Sequence, residues 1–276
     1  MSVKKEASGR RSIQVEVEVP GTPEEVWQAI ATGPGISAWF VPAEFEEQGG
    51  KPVAAKLTFG PGMESRSVVT AWDPPRIFAR EADGWAPGSP PIATEFSVEA
   101  RAGGVCVVRV VQSLFASTDD WDKQLDGAES GWPGAFRILR IYLTHFRGQR
   151  SAMMQVMAPV AGTKLQAWAT LAAALGLNGV GAGQRWAVPA SVPALGGVVE
   201  HVSQRERDCG VLLRLDKPGP GVAALFIMTV PGSVIATFNF YLYGDQAAET
   251  VAQETPLWQA WIQQRSPMPA EPSQSE

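Results

Sequence analysis

Cysteine and histidine are scarce in this chain of 276 residues, with two of each. Cys106 and Cys209 lie far apart in strand-like runs with no CxxC spacing, which excludes a disulfide framework or a cysteine metal site and points to two reduced, buried thiols. His145 and His201 fall in different halves, so no imidazole cluster is available. Long hydrophobic runs are lacking too: no segment approaches the roughly 20 apolar residues that span a bilayer. The N-terminal MSVKKEASGRRS has basic residues with no apolar run behind them. These features predict a cytoplasmic protein without membrane insertion. There is no excess of positive charge, since the net charge is −5, and hence no general attraction to nucleic acid. Catalytic signatures are missing as well: there is no GxSxG elbow, HExxH, P-loop or Cys/His cluster. Gly179-Val180-Gly181-Ala182-Gly183 lacks the βαβ context of a dinucleotide loop and reads as a flexible turn. No cofactor, no metal and no catalytic residue is expected.

The length suits two domains, each with enough interior to fold without staples. The stretch that organises the first is Trp132 to Arg147, WPGAFRILRIYLTHFR. Arg137, Arg140, Thr144 and Arg147 recur at spacings of three and four and form one polar stripe. Phe136, Ile138, Leu139, Ile141, Tyr142, Leu143 and Phe146 fill most of the remaining surface. Pro133 suits a first helical turn, so the helix is expected to start there. An apolar surface this broad needs more than one neighbour, and a sheet wrapped around the helix would supply it.

Upstream, residues 1–11 read as a disordered tail. Ile13, Val15, Val17 and Val19 alternate with Gln14, Glu16 and Glu18, the period of a half-buried strand. Thr22-Pro23-Glu24-Glu25 combines an N-cap, a proline at the first helical position and a capping-box glutamate. Val26, Trp27 and Ile30 give that helix its apolar face, and a second short turn carries Trp39 and Phe40. Strands follow around Val53 to Phe59, Ser65 to Trp72, Arg76 to Glu81, Ile92 to Val98 and Val105 to Phe115, with turns at Gly60-Pro61-Gly62, Asp73-Pro74-Pro75 and Gly103-Gly104. In the last of these strands Gln112 is in phase with Cys106, Val108, Val110 and Leu114, so it should point where they point. Ser117 or Thr118, with Asp119 and Asp120, opens a helical segment carrying Trp121 and Leu125.

This order predicts an α+β domain in which a long C-terminal helix covers an antiparallel sheet. Together with Gly21-Thr22-Pro23-Glu24-Glu25-Val26-Trp27, Trp39-Phe40-Val41-Pro42, Trp72-Asp73-Pro74-Pro75 and Gly131-Trp132, it resembles the SRPBCC or START-like superfamily over about residues 12–150. Within that superfamily it is most similar to the branch named after the activator of the ninety-kilodalton heat-shock-protein ATPase. The resemblance implies a helix-grip fold with an apolar cavity between sheet and long helix. Many members carry a His-Ser/Thr-Gly-Phe-like run where this chain reads Gln112-Ser113-Leu114-Phe115, so a His-dependent step there is not implied.

The second half contains a repeat. Met154 to Ala172 aligns without gaps on Ile13 to Ala31, matching Val15 with Val156, Gly21 with Gly162, Thr22 with Thr163 and Trp27 with Trp168. Strand-like runs follow at Gly197 to Arg205, Val211 to Asp216, Val222 to Met228 and Val234 to Tyr243. Thr255-Pro256 opens a closing helix of about three turns. Residues 151–265 therefore read as a diverged second helix-grip domain, shorter than the first, and 266–276 as a disordered tail.

Trp39, Phe59, Trp72, Phe78, Phe96, Trp132, Phe136 and Leu139 are the candidates to line a pocket in the first domain, with Gln112, Ser113 and His145 as its polar groups. Large rings also fill ordinary cores. The resemblance tips the set toward a site for a small hydrophobic molecule, with a protein-interaction or chaperone-associated module, and a cyclase- or hydrolase-like enzyme using His145 or Gln112, as alternatives. Arg137, Arg140 and Arg147 read as a solvated face.

Overall fold

The computed structural model describes residues 3–60, 62–84, 88–116, 118–205, 208–230 and 232–265. The expected tail over 266–276, Ser117 as a helix start and the turn proline Pro61 lie outside these residues. The chain divides into two compact units, Met1–Ser151 and Ala152–Glu276.

The first unit opens with β1 (Lys4–Lys5) and β2 (Arg10–Pro20). Residues 3–11 are not a tail, because Lys4 and Lys5 pair with Ser12 and Arg11. The cause is electrostatic: Lys5 and Arg11 share the carboxylates of Asp119 and Asp122 at 2.7–3.0 Å. After β2, the Thr22 hydroxyl accepts a hydrogen bond from the Glu25 backbone N–H. The Glu25 carboxylate accepts one from the Thr22 N–H, closing the expected capping box on α1 (Pro23–Ala31). α2 (Gly33–Ser37) follows directly. This junction requires Gly35, where a Cβ would sit 1.8 Å from the Gln28 carbonyl oxygen.

Then come β3 (Ala43–Gln48), β4 (Lys51–Gly60), β5 (Met63–Asp73), β6 (Ile77–Ala82), β7 (Ile92–Arg101) and β8 (Val105–Phe115), and finally α3 (Asp122–His145). The eight strands form one sheet in the order β1-β2-β8-β7-β6-β5-β4-β3, antiparallel throughout. α3 starts eleven residues before the expected Pro133, which therefore lies inside the helix. Arg11 explains the early start: its guanidinium donates to Asp119 and Asp122, both at 2.7 Å, and ties down the first turn. A helix running on both sides of the proline survives the loss of the one hydrogen bond that Pro133 cannot make. At its other end, Arg147 donates to the Glu25 carboxylate at 2.6 Å, so that member of the solvated stripe also joins the helix end to α1. The apolar side of α3 is buried as its periodicity requires, including Phe136, Ile138, Leu139, Ile141, Tyr142 and Leu143.

The second unit contains β9 (Ser151–Pro159), α4 (Lys164–Ala174), β10 (Arg185–Ala187), β11 (Gly196–Gln204), β12 (Cys209–Lys217), β13 (Gly221–Val230), β14 (Ser233–Tyr243) and α5 (Ala247–Gln263). Its sheet runs β10-β11-β12-β13-β14-β9. The strand before the capped helix, β9, thus lies beside the last one and the others follow in reverse, as β2 lies beside β8 in the first unit. The repeat holds at atomic detail: Thr163 caps α4 in a capping box with Gln166, and Trp168 is buried like Trp27. Both units are helix-grip domains, the second with fewer strands. α5 begins at Ala247, not Thr255, so Pro256 is again internal and the helix has 17 residues against 24 in α3.

Thr22→Ala and Thr163→Ala are each expected to cost about 1 kcal/mol of the stability of their own domain by removing a cap. Urea unfolding checks this. No loss in either variant would contradict the cap assignment.

Candidate ligand-binding site

The face of the first sheet that turns toward α3 is built in cross-strand rows, because directly paired residues of neighbouring strands project to the same side. One row is apolar, with Val110 paired to Phe96, Phe96 to Phe78 and Phe78 to Trp72. Two residues along the strands, Ile13 pairs with Gln112, Gln112 with Thr94 and Thr94 with Arg80. The next row returns to small or apolar side chains, Ile92, Ala82, Ser67 and Ala55, with the Ser67 hydroxyl donating to the Ala55 carbonyl at 3.1 Å. A polar row of three side chains therefore crosses the middle of an otherwise apolar face. All three are buried: Arg80 is 7% exposed, Thr94 2% and Gln112 8%.

Gln112 holds the row to the helix. Its carbonyl oxygen accepts a hydrogen bond of 2.8 Å from the indole N–H of Trp132 on α3, and its amide donates to the Thr94 hydroxyl at 3.3 Å. Trp132 in turn stacks on Phe40, with centroids 5.3 Å apart, and meets Phe96 edge-on at 5.5 Å. The ring contacts continue from Phe96 to Phe78 and from Phe78 to Trp72, with Phe59 reaching Phe40 and Phe136 reaching Trp132.

Arg80 ends the row differently. Among the described residues, none accepts a hydrogen bond or forms an ion pair with its guanidinium. The neighbouring carboxylates, Glu81 and Glu95, are out of phase with it along their strands and exposed. Burial alone pushes the Arg80 guanidinium down to about 10 from its ordinary 12.5. It still carries its charge at neutral pH, at a cost of about 3 kcal/mol by the standard conversion.

The structure sorts the expected site residues into groups. Phe59, Trp72, Phe78, Phe96, Gln112, Trp132 and Phe136 are brought together around the row. Trp39 touches Phe40 and Phe136, and its indole N–H is committed to the Ala29 carbonyl at 2.9 Å, so it braces α1 against the turn that follows α2. Leu139 is fully buried on the apolar side of α3. Ser113 is not with Gln112: adjacent strand residues face opposite ways, and its hydroxyl accepts from Arg10 at 3.4 Å on the other face. His145 is exposed in the last turn of α3, roughly 20 Å along the helix from Trp132 at about 1.5 Å per residue. His145 and Gln112 therefore do not act on the same ligand atom, and in the enzyme alternative only Gln112 lies at the row. Cys106 donates to the Gly21 carbonyl at 3.3 Å, and burial, then Glu24 and Glu25, raise its pKa, as suits an inert thiol.

Arg80 and Thr94 were not among the residues singled out from sequence. The signal was there, since Arg80 alternates in phase with Phe78 and Ala82, and a charge on the aromatic side of a strand breaks the binary pattern.

Residues 10–140 match the family described as polyketide cyclase / dehydrase and lipid transport. The match spans most of the first domain, whose fold is the START-like helix grip. That match stops before the second domain, whose START-like character rests on its own topology and repeat. Among solved structures, the chain is similar to the di-domain ARO/CYC protein BexL, at 12% identity with a TM-score of 0.46 over 94% of this chain and 100% of that one. It is also similar to DynU16 from the dynemicin biosynthetic locus, at 17% identity and a TM-score of 0.41 over 91% and 94% of the two chains. A third is the Aha1 dimer of Colwellia psychrerythraea, at 20% identity and a TM-score of 0.39 over 50% and 98%. No curated protein matches the chain. No helix among the described residues is long and apolar enough to cross a membrane.

Replacing the unpaired charge of the START-like domain by an apolar side chain of similar length should stabilise the empty protein. Arg80→Met is expected to gain about 1–3 kcal/mol in urea unfolding at pH 7. A destabilised Arg80→Met would show that Arg80 is compensated.

Proposed function

We propose that the first START-like domain binds a small, largely apolar molecule between the inner face of its sheet and α3. The observation that carries this reading is the meeting of an aromatic layer, Phe40, Trp132, Phe96 and Phe78, with a buried polar row whose donors outnumber its acceptors. Ligand sites combine a mainly apolar lining with a few convergent polar groups, and this face has both. Each square ångström of apolar ligand surface removed from water contributes about 25 cal/mol, and the polar row supplies orientation. The family description, with its cyclases, dehydrases and lipid transporters, supports a hydrophobic ligand and leaves the chemistry open.

Nothing in the row titrates near neutrality. Arg80 and Thr94 can orient or polarise a ligand oxygen, but neither takes up a proton at neutral pH, so the row suits binding better than general base catalysis. The second domain keeps the architecture without this row among its described residues. Its inner face is continuous aliphatic and aromatic core, with Leu213, Leu225, Ala236, Phe238, Phe240 and Trp258 among its most buried members. We assign it no ligand.

Native mass spectrometry of the full chain purified from its own source is expected to show one apolar molecule per chain, released on denaturation. An empty protein that also fails to bind a panel of fatty acids, polyketides and aromatic dyes would overturn the proposal.

A further inference from the structure

We propose that the ligand carries a carboxylate, and that Arg80 grips it as a planar fork while Thr94 and the free amide N–H of Gln112 lie beside it. This rests on the ligand-binding reading above and names the chemical class that the site takes.

The argument is a census of donors and charge. Gln112 spends its carbonyl on Trp132 and one amide proton on Thr94, whose hydroxyl oxygen receives it. What is left is the second amide proton of Gln112, the hydroxyl proton of Thr94 and the N–H groups of the guanidinium, all of them donors. Among the described residues nothing accepts from Arg80. A buried row of unused donors requires a ligand rich in acceptors, since each buried group left without a partner is costly.

Charge narrows the class. A neutral ketone or hydroxyl would satisfy hydrogen bonds but leave a bare cation in an apolar setting. A phosphate monoester, with roughly 1.5 to 2 negative charges at neutral pH, would exchange one buried positive charge for a net negative one. A monoanion cancels the guanidinium charge, and a carboxylate presents its two oxygens in the geometry that an arginine fork accepts bidentately. The strand register places the neighbouring donor at the right separation, because Thr94 is the direct cross-strand partner of Arg80 and such partners have Cβ atoms about 5 Å apart. The apolar row one step along the strands, with Phe78 and Phe96, and Trp132 beyond the row, would cover the body of the acid. The substrate class is therefore a monocarboxylic acid with an aliphatic or aromatic body.

The test uses matched probes on the full chain: decanoate and 1-naphthaleneacetate, each against its methyl ester, with decyl phosphate as a further arm, all by titration calorimetry at pH 7. At least one acid is expected to bind wild type on the order of 100-fold more tightly than its ester. Arg80→Met should abolish that preference, with its cooperative urea unfolding showing that the variant is folded, and Arg80→Lys should retain part of it. Arg109→Met, which removes a cation on the other face of the sheet, should behave as wild type. Acid and ester binding alike in wild type would overturn the carboxylate proposal and leave the hydrophobic-ligand reading standing. Tighter binding of decyl phosphate than of decanoate would replace the carboxylate by a dianion. Binding of none of the probes would count against both readings.

Discussion

The inner face of the first sheet has to be kept from water, and α3 is the element that does it. Three interactions hold the helix in place, each at a different height. Arg11 grips its first turn through Asp119 and Asp122, Trp132 bonds to Gln112 at its middle, and Arg147 joins its end to Glu25 beneath the α1 cap. The two end clamps are ionic and the outer one is exposed, so each contributes little by itself. The middle contact is buried, directional and flanked by stacked rings. Moving α3 would strand the indole N–H and the Gln112 carbonyl together, which makes this contact the one that sets the helix against the sheet.

The same contact determines what the site can do. With the carbonyl of Gln112 occupied by Trp132, the polar row can only donate. With Glu81 and Glu95 on the opposite face, Arg80 has no internal counter-charge among the described residues. The domain thus keeps a buried cation that costs it stability. A charge held at such expense on the aromatic face of a sheet is the usual mark of a functional position, because packing alone would have chosen an aliphatic side chain.

Much of this was legible in the chain. The strict alternation of β2, the Thr22 and Thr163 capping boxes and the seven-membered apolar surface of α3 are local patterns, and each appears in the structure where the pattern puts it. Gln112 could be placed on the inner face by counting in twos from Cys106. Harder to read was anything that depended on a partner far away in sequence. Residues 3–11 are ordered by carboxylates more than a hundred positions later, and those same carboxylates start α3 before Pro133. Ser113 was grouped with Gln112 among the polar lining, although alternation separates neighbours in a strand. His145 attracted notice as a residue type, and only the length of α3 shows how far it lies from the row. Arg80 lies in a short strand whose phase is marked only by Phe78 and the small Ala82, a weak form of the same signal.

The two domains share a cap, a buried tryptophan and a strand order, yet among the described residues only the first has a polar row on its inner face. If that row is the binding site, its side chains must sense the ligand directly. The most direct measurement is an NMR titration of the full chain with decanoate, following the indole N–H of Trp132 and the guanidinium Nε–H of Arg80. The account requires both signals to shift and saturate together at one equivalent, with the second-domain indoles of Trp258 and Trp261 unmoved. Saturable binding that leaves the Trp132 and Arg80 signals in place would put the ligand elsewhere and contradict it.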